Sequence, residues 1–447
     1  MTSLTELRRA ALEIFDEALK SVDARLAVRR AVHLEGSRLR VVNTTINLSD
    51  GGKRVYAVAL GKAARPMAHA LTEILGERLT GGVITAPPSD TSLPDRWRVF
   101  AGGHPLPNQE SLAAARAAFE LVGRADAESA ALIFLISGGG SAMMEWPRDE
   151  RITLEELRSA NEALVSCGAN IAEINAVRRA VSAIKGGGLS LRAQRCEQVS
   201  LIVSDTGAGR EGDVASGPTF APPADAPDAA AVVARYKLEA ALPESILRAI
   251  GQPAAGTKLA AQLISSPYYV LLDNESALKS AARAARERGF VVEFARDIVE
   301  QPIAEGCSIL LSRLLDLWDS VGGEDRGVCL ISGGEFACPV RGSGTGGRNA
   351  ESALRWAIEM DSRSGSHSGP SHLIALSAGT DGVDGNSPGA GAIADETTLR
   401  RARQLGLDAR RFLDESDAYT FFHRLNDAIV TGPTATNVRD VRIMLAG

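Results

Sequence analysis

A series of short apolar runs constrains the fold more than any other feature of this sequence. Each run ends in a cluster of glycine, serine or acidic residues, and helix-forming segments lie between them; the runs span residues 55–60, 132–136, 201–203, 268–272, 328–331 and 373–376. Continuous apolar strands that alternate with helices are typical of parallel sheets covered on both faces. The sequence therefore predicts an α/β fold with mostly parallel sheets flanked by helices.

The first residues of the chain predict an amphipathic helix. Ser3 and Glu6 have the spacing of a capping box, and apolar residues follow at helical intervals from Leu7 to Leu19. A chain of 447 residues is also long enough for two or three domains. Because the Pro- and Ala-rich stretch 218–231 has the composition of a linker, we predict two domains, residues 1–235 and 236–447.

Composition excludes several functional classes. Hydrophobic residues make up 45% of the chain, charged residues 23%, and the formal net charge is −6, which argues against binding to nucleic acid or anionic membranes. No apolar run reaches the length of a membrane span, and the first residues lack the apolar region of a signal peptide. The five cysteines form no CxxC pair. We therefore expect a cytoplasmic globular protein.

The clusters at the strand ends predict a ligand site, because ligands of open parallel sheets bind beyond the carboxyl ends of the strands. Gly138, Gly139 and Gly140 free backbone N–H groups at an expected helix amino end, which suits phosphate. Ser137 and Ser141 add hydroxyl donors. Lys62 adds a compact cation after Gly61, in a chain where only seven of the 49 basic residues are lysine. A tight strand–helix connection without ligand is the alternative interpretation of these glycines.

Acidic residues and one arginine complete the predicted chemistry. The acidic residues at strand ends are Asp205, Glu335, Asp381 and Asp384, which could hold Mg²⁺, accept a hydroxyl proton or simply cap a helix. Arg348 follows two glycines and could neutralise a carboxylate or a transferring phosphoryl group. His104 lies in a Pro-bounded turn, where we expect a structural role. A phosphate loop, cations and acids together predict phosphoryl transfer.

Two nucleotide-binding motifs bear on this prediction. The P-loop pattern is absent, since Ala63 follows Gly61-Lys62 and Tyr56 stands where its first glycine should be. The segment Gly342–Gly347 does match GxGxxG, but no acid follows at the end of a second strand. We interpret it as a glycine-rich anion loop, and a dinucleotide site is the alternative.

Nine ordered motifs resemble the glycerate 2-kinase family with a MOFRL C-terminal domain, whose members have also been labelled hydroxypyruvate reductases. They are Gly61-Lys62-Ala63-Ala64, Gly103-His104-Pro105-Leu106-Pro107, Ser137-Gly138-Gly139-Gly140-Ser141-Ala142, Ser182-Ala183-Ile184-Lys185-Gly186-Gly187, Ala215-Ser216-Gly217-Pro218-Thr219, Ser332-Gly333-Gly334-Glu335, Gly346-Gly347-Arg348-Asn349, Gly379-Thr380-Asp381-Gly382 with Asp384-Gly385, and Gly432-Pro433-Thr434 with Thr436-Asn437.

The resemblance implies two Rossmann-like α/β domains with the active site in the cleft between them. It implies ATP- and Mg²⁺-dependent phosphorylation of the 2-hydroxyl of D-glycerate, with a homodimer left open. By the same resemblance the catalytic residues are Lys62, Arg348 and Asp205, and the metal is held by Asp205 or Asp213. The binding residues implied are Ser137, Gly138, Gly139, Gly140, Ser141, Lys185, Glu335, Asp381 and Asn437.

This sequence departs from the family pattern after Ser204-Asp205, where Thr206–Asp213 replaces a Pro-Gly-Asp-type stretch. That departure leaves the metal ligand open between Asp205 and Asp213. An NAD(P)H-dependent hydroxypyruvate reductase is the competing function, and a non-catalytic sugar-acid-binding protein is a third.

Overall fold

The protein forms two compact units in the computed structural model, which describes residues 3–49, 52–252, 266–321, 326–363 and 369–447. The continuous unit comprises Ala24–Leu272, and the split unit comprises Met1–Asp23 together with Asp273–Gly447. The chain passes from one unit to the other after Asp23 and again after Leu272. The domain boundary predicted between residues 235 and 236 coincides with neither position.

The continuous unit is built on a parallel sheet. The strands of this unit are β1 (Val32–Glu35), β2 (Arg38–Val41), β3 (Thr44–Asn47), β4 (Val55–Leu60), β5 (Leu79–Thr85), β6 (Trp97–Phe100), β7 (Ala131–Ser137), β8 (Glu197–Val203) and β9 (Tyr268–Leu272). Strands β1–β3 form a small antiparallel sheet, and the others form a parallel sheet in the order β6-β5-β4-β7-β8-β9. Every residue of the central strands β4 and β7 is buried, which confirms the predicted doubly covered sheet.

Helices cover both faces of this sheet. They are α2 (Ala24–Ala31), α3 (Ala64–Leu75), α4 (Gln109–Ala127), α5 (Gly140–Met143), α6 (Leu154–Ser166), α7 (Ile171–Val181), α8 (Ala229–Arg235) and α9 (Glu244–Gly251). Helix α4 packs a row of alanines and Leu121 on β4 and β7, while α6–α9 bury a separate cluster. Val232, Ile246 and Val177 share that cluster, so stretch 218–231 connects elements of one unit and is not a linker between two.

The split unit contains a mixed sheet, which corrects the expectation of a mostly parallel one. Its strands are β10 (Val291–Phe294), β11 (Val328–Gly334), β12 (Leu373–Gly379), β13 (Gly391–Asp395), β14 (Ala428–Ile429) and β15 (Asp440–Ala446), in the order β10-β11-β15-β12-β13-β14. Among the described strands of this sheet, β10 and β11 pair in parallel and every other neighbouring pair is antiparallel. The last strand, β15, lies between β11 and β12 and runs antiparallel to both.

The helices of the split unit are α1 (Leu4–Ser21), α10 (Asn274–Glu287), α11 (Ile303–Val321), α12 (Arg348–Arg363), α13 (Thr398–Gln404), α14 (Ala409–Asp414) and α15 (Ala418–Arg424). Helix α1 confirms the predicted capping box of Ser3 and Glu6 and buries Leu7, Ile14 and Phe15. It packs on α10, β12 and β15. None of the helices in the described part of the chain is long and apolar enough to cross a membrane.

The direction of β15 determines what gathers at one edge of the mixed sheet. Because β15 is antiparallel to its neighbours, its amino end lies beside the carboxyl ends of β11 and β12. Asp440 accordingly pairs in register with Gly334 on one side and Gly379 on the other.

Candidate active site

The turn after β4 is bonded directly to the turn after β7. The backbone N–H of Lys62 donates to the carbonyl of Gly138 at 2.9 Å, and that of Ala63 donates to Oγ of Ser137 at 3.0 Å. The Ser137 hydroxyl in turn donates to the carbonyl of Leu60 at 3.2 Å. Ser137 is buried and holds the two turns together, so its predicted contact with a ligand stays a prediction.

Three side chains converge on the glycines of the β7 turn. A Cβ atom at Gly138 would lie 2.0 Å from Oδ2 of Asp205, and one at Gly139 would lie 3.4 Å from Cγ of Lys62 and 3.0 Å from Cδ2 of His104. Gly139 also has φ +81°, the left-handed region that favours glycine. The helix that follows, α5, is a single turn. The glycines therefore make room for a cation, a carboxylate and an imidazole.

His104, for which the sequence predicts a structural role, also lies at this edge. Its exposed imidazole lies against Gly139, as does the side chain of Lys62. The available signal was its position after β6, whose carboxyl end lies at the same edge of the parallel sheet as those of β4 and β7.

The two candidate metal ligands have different surroundings. Asp213 is enclosed by two guanidinium groups: Arg179 bonds its Oδ1, and Arg210 bonds its Oδ2 at 2.8 and 3.0 Å. Asp205 instead lies against the glycine turn. No group of three or more His, Cys, Asp or Glu side chains within the described ranges could hold a metal ion by itself. The donor chemistry of a carboxylate beside this glycine turn fits Mg²⁺, which is commonly bound by one or two carboxylates together with substrate phosphates.

Lys185 lies in the interior of the continuous unit. Its ammonium forms an ion pair with Glu145, and the two side chains are 1% and 4% exposed. Ser182 donates to the other carboxylate oxygen of Glu145. Burial lowers the pKa of Lys185, and Glu145 opposes that shift. Its predicted role in binding stays a prediction, since protein atoms enclose it.

In the split unit, Arg348 begins α12 and is held by two carboxylates. Its Nε and Nη2 donate to Asp440 at 2.6 and 3.0 Å, and Nη2 also lies 2.9 Å from Glu335. Burial alone would lower the pKa of Arg348, but the two carboxylates raise it. Burial likewise raises the pKa of Glu335, which Arg348 opposes. The guanidinium is therefore fixed in place and permanently charged.

Asp384 caps the amino end of α12 and so positions Arg348. Its carboxylate accepts from the backbone N–H groups of Asn349 and Ala350 at 2.9 and 2.8 Å. Burial raises the pKa of Asp384 to about 6, although these two donors favour the ionised form. The Asn349 amide bridges Asp384 to Asp440.

The remaining predicted residues of the split unit lie near this charge cluster. Asp381 and Arg439 both act electrostatically on Glu335. Asn437 is 9% exposed, and its Oδ1 accepts from the backbone N–H of Arg439, which has φ +72°. Arg439 reaches Glu300 at 2.6 Å. Asn437 therefore acts on the cluster by holding the turn that places Arg439.

Asp440 is the residue of this cluster that sequence reasoning missed. Ligands of parallel sheets are expected at the carboxyl ends of strands, and Asp440 instead begins a strand. An acid directly before the segment 441–446, which is apolar except for Arg442, was the available signal.

Backbone N–H groups of the GxGxxG segment donate hydrogen bonds to other residues of the same unit. The backbone N–H of Gly344 donates to the carbonyl of Glu415, that of Thr345 to Asp417, and that of Gly346 to Asn386, at 3.0, 2.8 and 2.8 Å. These bonds use the donors that a dinucleotide pyrophosphate would need.

Comparisons with known proteins identify the family of this chain. Residues 10–251 match the family described as "Domain of unknown function (DUF4147)", and residues 328–440 match the MOFRL family. The chain is 32% identical over 440 residues to D-glycerate 2-kinase of Thermotoga maritima, with 98% of each chain covered. It is 31% identical over 444 residues to glycerate 2-kinase of Pyrococcus horikoshii, with 98% of this chain and 97% of that protein covered. The crystal structure of Thermotoga maritima glycerate kinase matches with a TM-score of 0.79 at 31% identity, covering 99% of both chains. This chain therefore belongs to the glycerate 2-kinase family with a MOFRL C-terminal domain.

Proposed function

We propose that this chain is a glycerate 2-kinase, which transfers the γ-phosphoryl group of ATP to the 2-hydroxyl of D-glycerate. The observation that carries the proposal is the convergence of Lys62, His104 and Asp205 on the backbone of Gly138 and Gly139. Phosphoryl transfer needs positioning and neutralisation of charge more than covalent catalysis, and this edge supplies both.

Lys62 is assigned to the phosphate oxygens. Its backbone is tied to the glycine turn, so the ammonium starts from a fixed point. A cation that is in place before the reaction stabilises developing negative charge without reorganisation. Arg348 is likewise assigned to the negative charge that develops on the phosphoryl group. Its carboxylate partners fix the plane of its guanidinium.

Asp205 is assigned to Mg²⁺ in preference to Asp213. Two arginines already neutralise Asp213, whereas Asp205 lies at the glycine turn where phosphate is expected. When bound, the metal neutralises phosphate oxygens and orients them. His104 is assigned to the proton of the 2-hydroxyl, because imidazole is the side chain that proteins use most often as general base.

The reductase alternative receives less support. It requires the Gly342–Gly347 segment to bind a dinucleotide, and the N–H groups of Gly344, Thr345 and Gly346 already donate within the protein.

A product assay tests the proposal. The purified protein is incubated with D-glycerate and MgATP, and the phosphoglycerate formed is identified by phosphorus NMR. In parallel, NADH oxidation is followed with hydroxypyruvate. We expect 2-phosphoglycerate and no NADH oxidation. Rapid NADH oxidation without ATP turnover would refute the assignment.

A further inference from the structure

A chain of hydrogen bonds in the continuous unit has a direction that is fixed at one end. Asp213 is held by Arg179 and Arg210, and its carboxylate can only accept hydrogen bonds. The nearest amide, that of Asn175, therefore turns its Nδ2 toward Asp213 at 3.4 Å. This orientation leaves Oδ1 of Asn175 facing Ser216.

Proton counting then settles the direction of the next two bonds. Oγ of Ser216 lies 2.8 Å from Oδ1 of Asn175, which is an acceptor, so Ser216 donates its one hydroxyl hydrogen there. Oγ of Ser216 also lies 2.9 Å from Oγ of Ser141. Because Ser216 has no second hydrogen, Ser141 must donate in that bond.

Ser141 is consequently left with lone pairs alone. It lies in the single turn of α5, directly after Gly140, and is partly exposed. The sequence suggested that it donates to phosphate, but in this arrangement it can only accept. An oxygen without a hydrogen, such as that of a phosphate or a carboxylate, would face the lone pairs of the Ser141 hydroxyl and could not form a hydrogen bond with it.

The backbone at Ser216 is held in an unfavourable conformation to place this hydroxyl. Ala215 and Ser216 have φ +52° and +60°, the left-handed region that residues with a Cβ avoid. Such strain persists where surrounding structure enforces it and is common at functional sites. Ser216 is 2% exposed and Asn175 is also 2% exposed, so both lie in the interior.

We propose that Ser141 accepts a hydrogen bond from the non-reacting hydroxyl of a hydroxy-acid substrate, and that Asp213, Asn175 and Ser216 are positioning residues that keep it an acceptor. The inference rests on the proposed kinase function and extends it to substrate choice. Ser141 cannot serve as the base, because the Asn175 amide in the chain does not pass a proton on to Asp213. The site is thereby selective for 2,3-dihydroxy acids over 2-hydroxy acids that lack the second hydroxyl.

The test compares kcat/KM for D-glycerate and D-lactate, which share the 2-hydroxyl configuration and differ in the 3-hydroxyl. We expect the wild type to prefer D-glycerate, because D-lactate leaves the Ser141 acceptor without its hydrogen-bond donor. Ser141→Ala and Ser216→Ala should each lose about tenfold in kcat/KM for D-glycerate and less than about twofold for D-lactate. Ser141 is partly exposed, so its variant remains informative even where Ser216→Ala fails to fold.

Ser200→Ala is the matched control, since it removes another part-buried hydroxyl pair of the same unit, the one that Ser200 forms with Thr219 at 3.1 Å. It should leave the ratio of the two kcat/KM values unchanged. Equal losses on both acids in Ser141→Ala would overturn the inference while leaving the kinase function intact.

Calorimetric binding of the two acids separates the two failures. A wild type that binds D-glycerate more tightly than D-lactate but phosphorylates neither would count against the kinase proposal alone. A wild type that binds both acids equally, or neither, would overturn the acceptor role of Ser141.

Discussion

Replacing Asp440 with asparagine is expected to destabilise the split unit and to slow catalysis. The Asp440 side chain is fully buried and accepts three hydrogen bonds, two from Arg348 at 2.6 and 3.0 Å and one from Asn349 at 3.0 Å. Burial alone would raise the pKa of Asp440, but the charge of Arg348 holds it below the ordinary value. An asparagine keeps one acceptor oxygen and turns an NH₂ group toward one of these donors.

The size of the effect follows from what Arg348 retains. Breaking a buried ion pair costs about 3–5 kcal/mol when the remaining charge has no other partner. Arg348 keeps Glu335 at 2.9 Å and is 32% exposed, so we expect Asp440→Asn to lose about 2–3 kcal/mol of unfolding free energy. The guanidinium also loses its fixed plane, which should lower kcat by about 10²-fold.

Urea unfolding followed by circular dichroism, together with initial rates at saturating substrate, measures both effects. Glu335→Gln is the control for stability, because Glu335 pairs with the same arginine while 37% exposed. A partly exposed pair of this kind contributes less than about 1 kcal/mol. An Asp440→Asn protein with wild-type kcat and a stability within about 0.5 kcal/mol of wild type would refute the reasoning.

Four further predictions concern single residues. Lys62→Ala should lower kcat by about 10²-fold or more, and Lys62→Arg should lower it almost as much because the turn takes a compact ammonium. Lys53→Ala should keep the wild-type kcat. A near-normal kcat for Lys62→Arg would contradict the assignment. Asp205→Asn should raise the Mg²⁺ concentration for half-maximal rate at least about tenfold, and chelator should abolish wild-type activity reversibly; an unchanged Mg²⁺ titration would remove Asp205 from the metal site. His104→Asn should lower kcat by about 10²-fold with little change in the KM for ATP, and an unchanged kcat would exclude it as base. The pKa of Asp384 is raised from 3.8 to about 6, so the stabilising contribution of this carboxyl is fully present below pH 3.8 and is lost as the pH rises through 6. The unfolding free energy of wild type relative to Asp384→Asn should therefore fall by about 2–3 kcal/mol from pH 4 to pH 7. A pH-independent difference would show that the carboxyl titrates normally.

The parallel sheet of the continuous unit could be predicted because its signal is local. A run such as Val55–Leu60 is apolar at every position, since both faces of its strand are covered, and it ends where a glycine permits the next turn. The same signal located Lys62 and the glycine turn, and the topology of parallel sheets brings such turns to one edge. The capping box of α1 was readable for the same reason, since its two side chains are three residues apart.

The mixed sheet could not be predicted in this way, because strand direction depends on which distant segments pair. Residues 440–446 carry the composition of a buried strand, but nothing in that composition says that they enter between β11 and β12 and run antiparallel to both. Only that pairing brings Asp440 to Arg348, from 92 residues away along the chain.

What the sequence determined by itself was the class of fold, the local turns and the residue types available for phosphoryl transfer. The tertiary structure decided which charges meet. Asp205 and Asp213 look equivalent in sequence, yet one lies at the glycine turn and the other is neutralised by Arg179 and Arg210. Lys62 and Lys185 both adjoin glycines, yet the Lys62 backbone is bonded to the glycine turn whereas the Lys185 side chain is buried in an ion pair with Glu145. The physical reason is that glycine turns and apolar periodicity are encoded within a few residues, whereas the partner of a charged side chain is set by folding across the whole unit.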